Sequence, residues 1–598
     1  MNRVLVLVAL VAAVPASAAV VTRGPYLQTN TPGSVIVRWR TDVATDSRVQ
    51  IGAAPGSLGT PIDDPTVTTE HIVPVMGLAA YTKYFYSVGD TSTVLAGDDA
   101  NHFFRTSPTP GTAGAYRFWV TGDGGFGTGV HMPDTVAVRD AYATFQGGAE
   151  TNLFLLLGDN AYLVGSDADY QAALFNMHAA LLRTTPAWPT FGNHEGFSSN
   201  SLTQTGPYFD MFSLPTAGEA GGDPSGTESY FSFDYGNIHF INLDGNSAPV
   251  TPGSAMMTWL EADLQATSAD WVIAMWHHPP YSKGLLHDSD VEQREIDLRE
   301  NVVPLLEDYG VDLVLCGHSH SYERSFLLDG HYDLSNTFSD DMTIDSGDGA
   351  PAGDGAYRKE ALGPVPHEGA VYVVAGSSSE VRIATLNHPA HHIGLLELGS
   401  LVLDVNGATL QARFLNSAGA ITDTFTIEKG ASCPATPRGG CAASTAGKLV
   451  LKDFANDAYD KLVWKWKNGT LDAGDLGAPD QQTDLAICIY DANGNLLSGT
   501  VPRGADVSGV AAWRALAVGA KYTDSAGVSS GITKVKVVPG TGSGQILAKG
   551  KGTSLGMPAL PATLPLTAQL VNLDNSVCWE TPFTAAKVNV PGKVVAAQ

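Results

Sequence analysis

The sequence predicts a multidomain protein in which an α/β domain stands between two all-β domains. Three observations carry that expectation. A chain of 598 residues is long enough for about three or four domains. Two stretches rich in Pro, Gly, Thr and Ser interrupt it, SPTPGTAG (Ser107–Gly114) and SCPATPRGGCAASTAG (Ser432–Gly447). The hydrophobic pattern also changes at these stretches. Outside them apolar residues alternate with polar ones; between them short apolar runs are separated by helical repeats.

Taken in order, residues 1–18 read as a targeting segment. Arg3 supplies the basic start, VLVLVALVAAV the apolar stretch and Ala16-Ser17-Ala18 a small-residue cleavage site. A mature chain cut near Ala18 is therefore expected outside the cytoplasm, secreted, periplasmic or at the cell surface. Residues 19–106 alternate in VIVRW, HIVPV and KYFYSVG, with Gly, Pro and Asp between, and resemble a small fibronectin type III-like β-sandwich. Residues 115–430 carry five apolar runs, FWVT, LFLLL, WPTF, VIAMW and VDLVLC, expected as buried strands. Amphipathic helices are expected over DADYQAALFNMHAALLR, SAMMTWLEADLQAT and EQREIDLRENVVPLLEDYG. Two sheets with helices outside, an αββα sandwich, is the layering this implies. Residues 331–368 read as a polar surface excursion, and the short strands after them complete the sheets. After a linker at 431–447, residues 448–598 give a C-terminal all-β domain, sandwich-like and of unknown role. There Trp464 and Trp466 share one strand face, where packing competes with a sugar-binding platform.

Composition excludes some partners. The chain has 61 Asp and Glu against 34 Lys and Arg and no basic cluster, which disfavours nucleic acid. No stretch after the leader reaches the roughly 18 apolar residues of a membrane helix. Of five cysteines, Cys316 lies in an expected core strand as an inert thiol. Export allows the others to pair, as Cys433–Cys441 with Cys488–Cys578 or in another combination.

The chemistry sits just after the five runs, in GDGG, GDNAY, GNHE, HHP and GHSH. Strand C-terminal ends are where open α/β sheets build sites. The side chains gathered there are Asp123, Asp159, Tyr162, Asn193, His277, His318 and His320. A carboxylate can bridge two cations, a phenolate suits a trivalent ion, and imidazoles suit Zn, Fe or Mn. Two metals at one edge point to phosphoester hydrolysis.

The order GDxG, GDxxY, GNHE, H-x-P, GHxH, followed by SYER and preceded by RGPYLQ, resembles the purple acid phosphatases, a branch of the calcineurin-like metallophosphoesterases. The resemblance covers residues 20 to about 430. It implies a dinuclear centre with Fe(III) on Asp123, Asp159, Tyr162 and His320. A divalent ion (Zn, Fe or Mn) would sit on Asp159, Asn193, His277 and His318, with Asp159 bridging. It implies that hydroxide on the metals attacks phosphorus, that His194 contacts substrate and protonates the leaving group, and that His287 is a second substrate histidine. For His278 packing or support of a ligand is expected, and His391 and His392 read as surface or hydrogen-bonded. The expected function is an exported acid phosphatase of small phosphate monoesters. Two alternatives are a phosphodiesterase or nucleotidase on the same metals, and a surface-binding protein with a vestigial catalytic domain. Residues 448–598 would supply any contact with the cell surface or polysaccharide.

Overall fold

A computed structural model describes residues 19–598 except 354, 360, 431–432, 435, 481–482, 502–505, 508–509, 526, 528–529 and 574–576. The expected leader at 1–18 lies outside the described residues. The chain divides into two compact units. One comprises the residues up to Ser107 with Leu174–Ala187, and the other Pro108–Ala173 with Trp188–Gln598.

In the first unit the strand Ser34–Gly52 is long enough to serve two neighbourhoods. On one side it pairs with Ile62–Met76 along most of its length; on the other its first half pairs with Val21–Gln28 and its second with Lys83–Gly89. Alternation along it buries Val35, Val37, Trp39 and Val49 with Val73, Val75, Tyr86 and Phe104.

The second unit holds two seven-stranded sheets. One runs Phe231–Tyr235, Ile238–Asn242, Trp271–Met275, Leu313–Cys316, Val371–Ala375, Tyr322–Ser325, His391–Leu395. The other runs Tyr357–Lys359, Ile421–Lys429, Thr409–Asn416, Gly399–Asn406, Ala115–Thr121, Leu153–Leu156, Ala187–Pro189. The strands that carry motifs pair parallel, Ala115–Thr121 with Leu153–Leu156 and Trp271–Met275 with Leu313–Cys316, so their C-terminal ends fall together. The sheets meet face to face through Phe118 against Phe240 at 5.3 Å and Tyr322 against Phe414 at 4.1 Å. Helix Met132–Gln146 covers one outer face, with Tyr142 stacked on Trp119 at 4.4 Å. Helices Ala255–Ala266, Gln293–Asn301 and Val303–Asp308 bury Met256, Leu260, Leu298 and Leu306 in the core beside the other sheet.

Three expectations change here. DADYQAALFNMHAALLR is not one helix. Asp167–Tyr170 and Ala179–Leu182 are separated by a wider turn at Gln171–Asn176. The segment is divided between the two units after Ala173, so its apolar residues serve two cores and not one stripe. The helix expected over 292–310 breaks at Val302, because Pro304 cannot donate into a continuing helix. The polar excursion contributes two strands, Thr343–Asp345 beside Leu327–Leu328 and Tyr357–Lys359 beside Ile421–Lys429.

Residues from Ala442 onward form a five-stranded and an eight-stranded sheet around one core that contains Trp464, Trp466 and Trp579. The disulfides are Cys433–Cys488 and Cys441–Cys578, not the sequential pairs. Pairing follows the sheet: Cys488 lies on Leu485–Asp491, Cys578 begins Cys578–Phe583, and Cys433 and Cys441 belong to one buried cluster with both. The end of the expected linker belongs to this module, since Ala442–Ala443 pairs with Cys578–Phe583. Trp464 and Trp466 are fully buried, which removes the sugar platform. Cys316 is a free, buried thiol. No helix among the described residues is long and apolar enough to cross a membrane.

Candidate metal centre

Each motif is a strand exit where the backbone turns at once. Asp123, Asp159 and His318 all take the left-handed conformation, with φ of 55°, 51° and 69°. That is a costly state for residues with side chains, and it concentrates at functional sites. The glycine before each is needed for space. A Cβ on Gly158 would lie 2.5 Å from His277 Nδ1, and one on Gly317 would lie 2.6 Å from Asp123 Oδ2. Backbone N–H groups then fix the carboxylates: His318 N–H donates to Asp123 Oδ2 (2.7 Å) and His194 N–H to Asp159 Oδ1 (2.9 Å).

The seven side chains named from the motifs converge in two groups. In the first, Tyr162 Oη lies 3.0 Å from Asp123 Oδ1 and 3.1 Å from His320 Nε2. In the second, Asn193 Oδ1 lies 2.9 Å from His277 Nε2 and 3.0 Å from His318 Nδ1, and those two nitrogens are 3.2 Å apart. Asp159 Oδ1 is 3.4 Å from His277 Nε2. Oxygen or nitrogen atoms of Asp123, Asp159 and His277 all fall within 4.8 Å of one another. Asp159 thus stands at the junction of the groups. Apart from half-buried Asn193, all of these residues are buried.

The outward nitrogens of His277 and His318 are hydrogen-bonded, and that of His320 faces a carboxylate without a hydrogen bond. His277 Nδ1 donates to Leu157 O (2.8 Å), His318 Nε2 to Glu292 Oε1 (3.0 Å), and His320 Nδ1 faces Glu380 Oε2 at 3.0 Å. Such outer partners fix the tautomer and direct the other nitrogen inward. The inward atoms are then carboxylate and amide oxygens, the Tyr162 hydroxyl, which donates to Asp123 Oδ1, and imidazole nitrogens, so acceptors outnumber donors. The pocket responds by drawing positive charge. Burial would lower His277, but Asp159 and Asp123 outweigh it and hold its proton up to about 10. Burial raises the Asp159 carboxyl, yet His277 and His194 hold it net below the usual range. Asp123 is raised well above its ordinary value by burial, then by Asp159. His318 and His320 are lowered by burial to about 4 and about 3, leaving neutral rings with inward lone pairs. The donor set, two buried carboxylates with Asn, Tyr and three imidazoles, fits two adjacent cations.

The two expected substrate histidines lie beside these groups. His194 is half-buried, its ring edge-on to Tyr162 at 4.6 Å, with Nε2 3.7 Å from Asp159 Oδ2. His287 packs its ring 3.9 Å from His318, and its Nδ1 meets Glu292 Oε2 at 3.1 Å. His278 is buried 4.1 Å from His318, with Glu292 and His318 forming a further group of potential ligand atoms. His391 and His392, expected at the surface or hydrogen-bonded, are both half-buried. His391 Nδ1 lies 3.2 Å from buried Glu323, and His392 packs edge-on to Phe326 at 5.5 Å.

Three carboxylates were missed. Glu195, the last letter of GNHE, accepts N–H from Asp159 (2.9 Å), Asn160 (2.7 Å) and Gly192 (2.9 Å), tying two motif loops together. Burial, then Asp159, pushes its carboxyl up to about 7. Its place in the motif was the available signal. Glu292 opens a segment whose pattern announces a helix and not a site, and both it and Glu380 act through contacts that only folding creates.

The comparisons with known proteins agree with this geometry. Residues 116–322 match the family described as calcineurin-like phosphoesterase. This region is a calcineurin-like phosphoesterase domain. The chain is 29% identical over 280 residues to purple acid phosphatase 15 of Arabidopsis thaliana, covering 43% of this chain and 49% of the relative. Purple acid phosphatase 21 of the same plant is 30% identical over 264 residues, covering 42% and 53%. The chain spans about half the length of these curated relatives. Among solved structures, purple acid phosphatase PPD1 from yellow lupin (Lupinus luteus) seeds superposes with a TM-score of 0.51 at 18% identity, covering 68% of this chain and 75% of that one. At that identity the likeness concerns the fold. Kinship of the phosphoesterase domain with purple acid phosphatases implies a dinuclear metal centre.

Proposed function

We propose that this chain is an exported acid phosphatase that hydrolyses phosphate monoesters at a dinuclear centre of Fe(III) and a divalent ion, Zn, Fe or Mn. One observation carries the reading: two touching groups of inward oxygen and nitrogen atoms, one of which contains the Tyr162 phenol beside Asp123 and His320. Asp123, Asp159, Tyr162 and His320 would hold the trivalent ion, and Asp159, Asn193, His277 and His318 the divalent one. When bound, the metals would neutralise phosphoryl oxygens and activate water for attack on phosphorus. The chain's own residues do the rest. Glu292, Glu380 and the Leu157 carbonyl orient the imidazoles. His194 places Nε2 at the mouth of the site, where it can bind the phosphate and pass a proton to the leaving oxygen. His287 has a similar position beside His318. Two disulfides are consistent with export after removal of residues 1–18, and the alternating sheet at 19–106 with a fibronectin III-like module.

The test is purification of wild type and Tyr162→Phe with visible spectroscopy and phosphate release from an aryl monoester and a bis-aryl diester. Expected are a visible tyrosinate–iron band lost in the variant, and faster release from the monoester at mildly acidic pH. A colourless, zinc-only wild type would overturn the iron assignment, and a preference for the diester the monoester assignment.

A further inference from the structure

The loops that bear the candidate ligands share a second property. Most of the large apolar side chains left exposed between residues 115 and 430, among the described residues, lie in them or beside them. Val130 is 85% exposed, Leu163 63%, Phe197 69%, Leu286 77% and Ile383 84%. Isolated exposed apolar residues are ordinary on any surface, but apolar residues grouped around a site mark binding.

Each of the five is tied to a group at the centre. The Leu163 carbonyl accepts from His194 Nδ1 at 2.6 Å, and the Phe197 ring stands 5.4 Å from the His194 ring. Leu286 precedes His287, whose ring packs on His318. It also holds a left-handed backbone, φ 68°, an uncommon state for a bulky side chain and here one kept with the side chain in solvent. Ile383 follows Arg382, whose N–H donates to His320 O at 3.1 Å. Val130 precedes His131, whose ring packs on Phe126 at 4.8 Å, and Phe126 packs on Tyr162 at 4.4 Å.

The charges nearby point the same way. A substrate with several phosphates needs cations beyond the centre. Lys283 is already paired with Asp288 at 2.7 Å and Asp290 at 2.6 Å, and Arg382 with Glu380 at 3.2 Å. The chain as a whole carries a formal charge of −27.

We infer that this apolar rim receives the leaving group, so that the substrates are phosphate esters of apolar alcohols, aromatic or long-chain alkyl, and not polyphosphorylated or sugar esters. The inference rests on the phosphoesterase reading above. In the reaction water adds to phosphorus, the P–O bond to the alcohol breaks, and the alcohol departs with a proton. The rim therefore reads only the alcohol. Burial of methylenes against it should raise kcat/KM by up to roughly fourfold per methylene.

The experiment compares kcat/KM of the full-length protein for butyl phosphate, octyl phosphate below its micelle concentration, and inositol hexakisphosphate. The same series is run on the triple variant Phe197→Ser, Leu286→Ser, Ile383→Ser, whose changes are at exposed positions. An octyl-to-butyl ratio of ten or more in the wild type, falling at least fivefold in the variant, is the expected result. A wild-type ratio near one overturns the proposal. So does a ratio that survives in the variant, or faster turnover of the inositol ester. Turnover of none of these esters would instead overturn the phosphoesterase reading on which the proposal rests.

Discussion

The edge of the phosphoesterase domain and the core of the C-terminal module are both buried, and they treat polarity in opposite ways. In the module, large side chains with polar tips find partners: Trp464 Nε1 donates to Thr581 Oγ1 at 3.2 Å and Trp466 Nε1 to Ala442 O at 3.3 Å. Around them the core is apolar. At the sheet edge the polar atoms of Asp123, Asp159, Asn193, Tyr162, His277 and His318 crowd together, with more acceptors than donors among them. Their outward atoms are tied to Leu157 and Glu292. A buried polar group needs a partner; here Tyr162 O–H donates to Asp123 Oδ1, while the carboxylates, the Asn193 oxygen and the His318 nitrogen still crowd together as acceptors, an arrangement a cation would complete. Burial alone therefore does not mark a site; buried acceptors turned toward one another do.

The largest effect that would break this contrast is at the junction. Asp159→Asn removes the charge shared by both groups, so turnover of an aryl phosphate should fall by several orders of magnitude and metal content should drop with it. A variant within about tenfold of wild type would mean that Asp159 does not join the groups. Next is the module. Cys441→Ser with Cys578→Ser opens a loop of 137 residues. The unfolding free energy of the C-terminal module should fall by about 4 kcal/mol, with turnover within twofold of wild type. Lost turnover in a protein that keeps its metals would show that the module takes part in catalysis.

A smaller effect sharpens the comparison, because it concerns buried charge that is already satisfied. His239 lies between Asp234 at 2.8 Å and Asp263 at 2.9 Å. Burial would lower it, but the two carboxylates outweigh burial and raise it to about 9. A folded value above the unfolded one, about 6.5, means that its stabilisation is complete below pH 6.5 and is lost as pH rises through about 9. The unfolding free energy should fall over that range by at most about 3 kcal/mol more in wild type than in His239→Gln. Parallel pH curves would contradict the pairing.

The site was legible because its information is local. An apolar run, a glycine and a ligand follow one another within a few residues, and parallel pairing of Ala115–Thr121 with Leu153–Leu156 brings the ends together. What failed depended on distant partners. Glu292 meets His318 across 26 residues with no pattern to announce it. Cysteine pairing follows the order of strands in space, where Cys578 faces 441 and not 488. The helical period of residues 167–183 was real, but two cores divide that segment. Val302 ends a helix for a local reason, Pro304, that the periodic reading overrode. Trp464 and Trp466 alternate correctly, yet alternation does not say whether a face meets solvent or a second sheet.

The most direct measurement is the metal content of the purified protein by elemental analysis, together with turnover, before chelation, after it, and after reloading. About two metal ions per chain, one of them iron, with turnover lost on chelation and regained on reloading, is the expected result. A folded protein that releases phosphate from an aryl ester at an undiminished rate with no metal bound would contradict the assignment of the paired acceptor groups as a dinuclear centre.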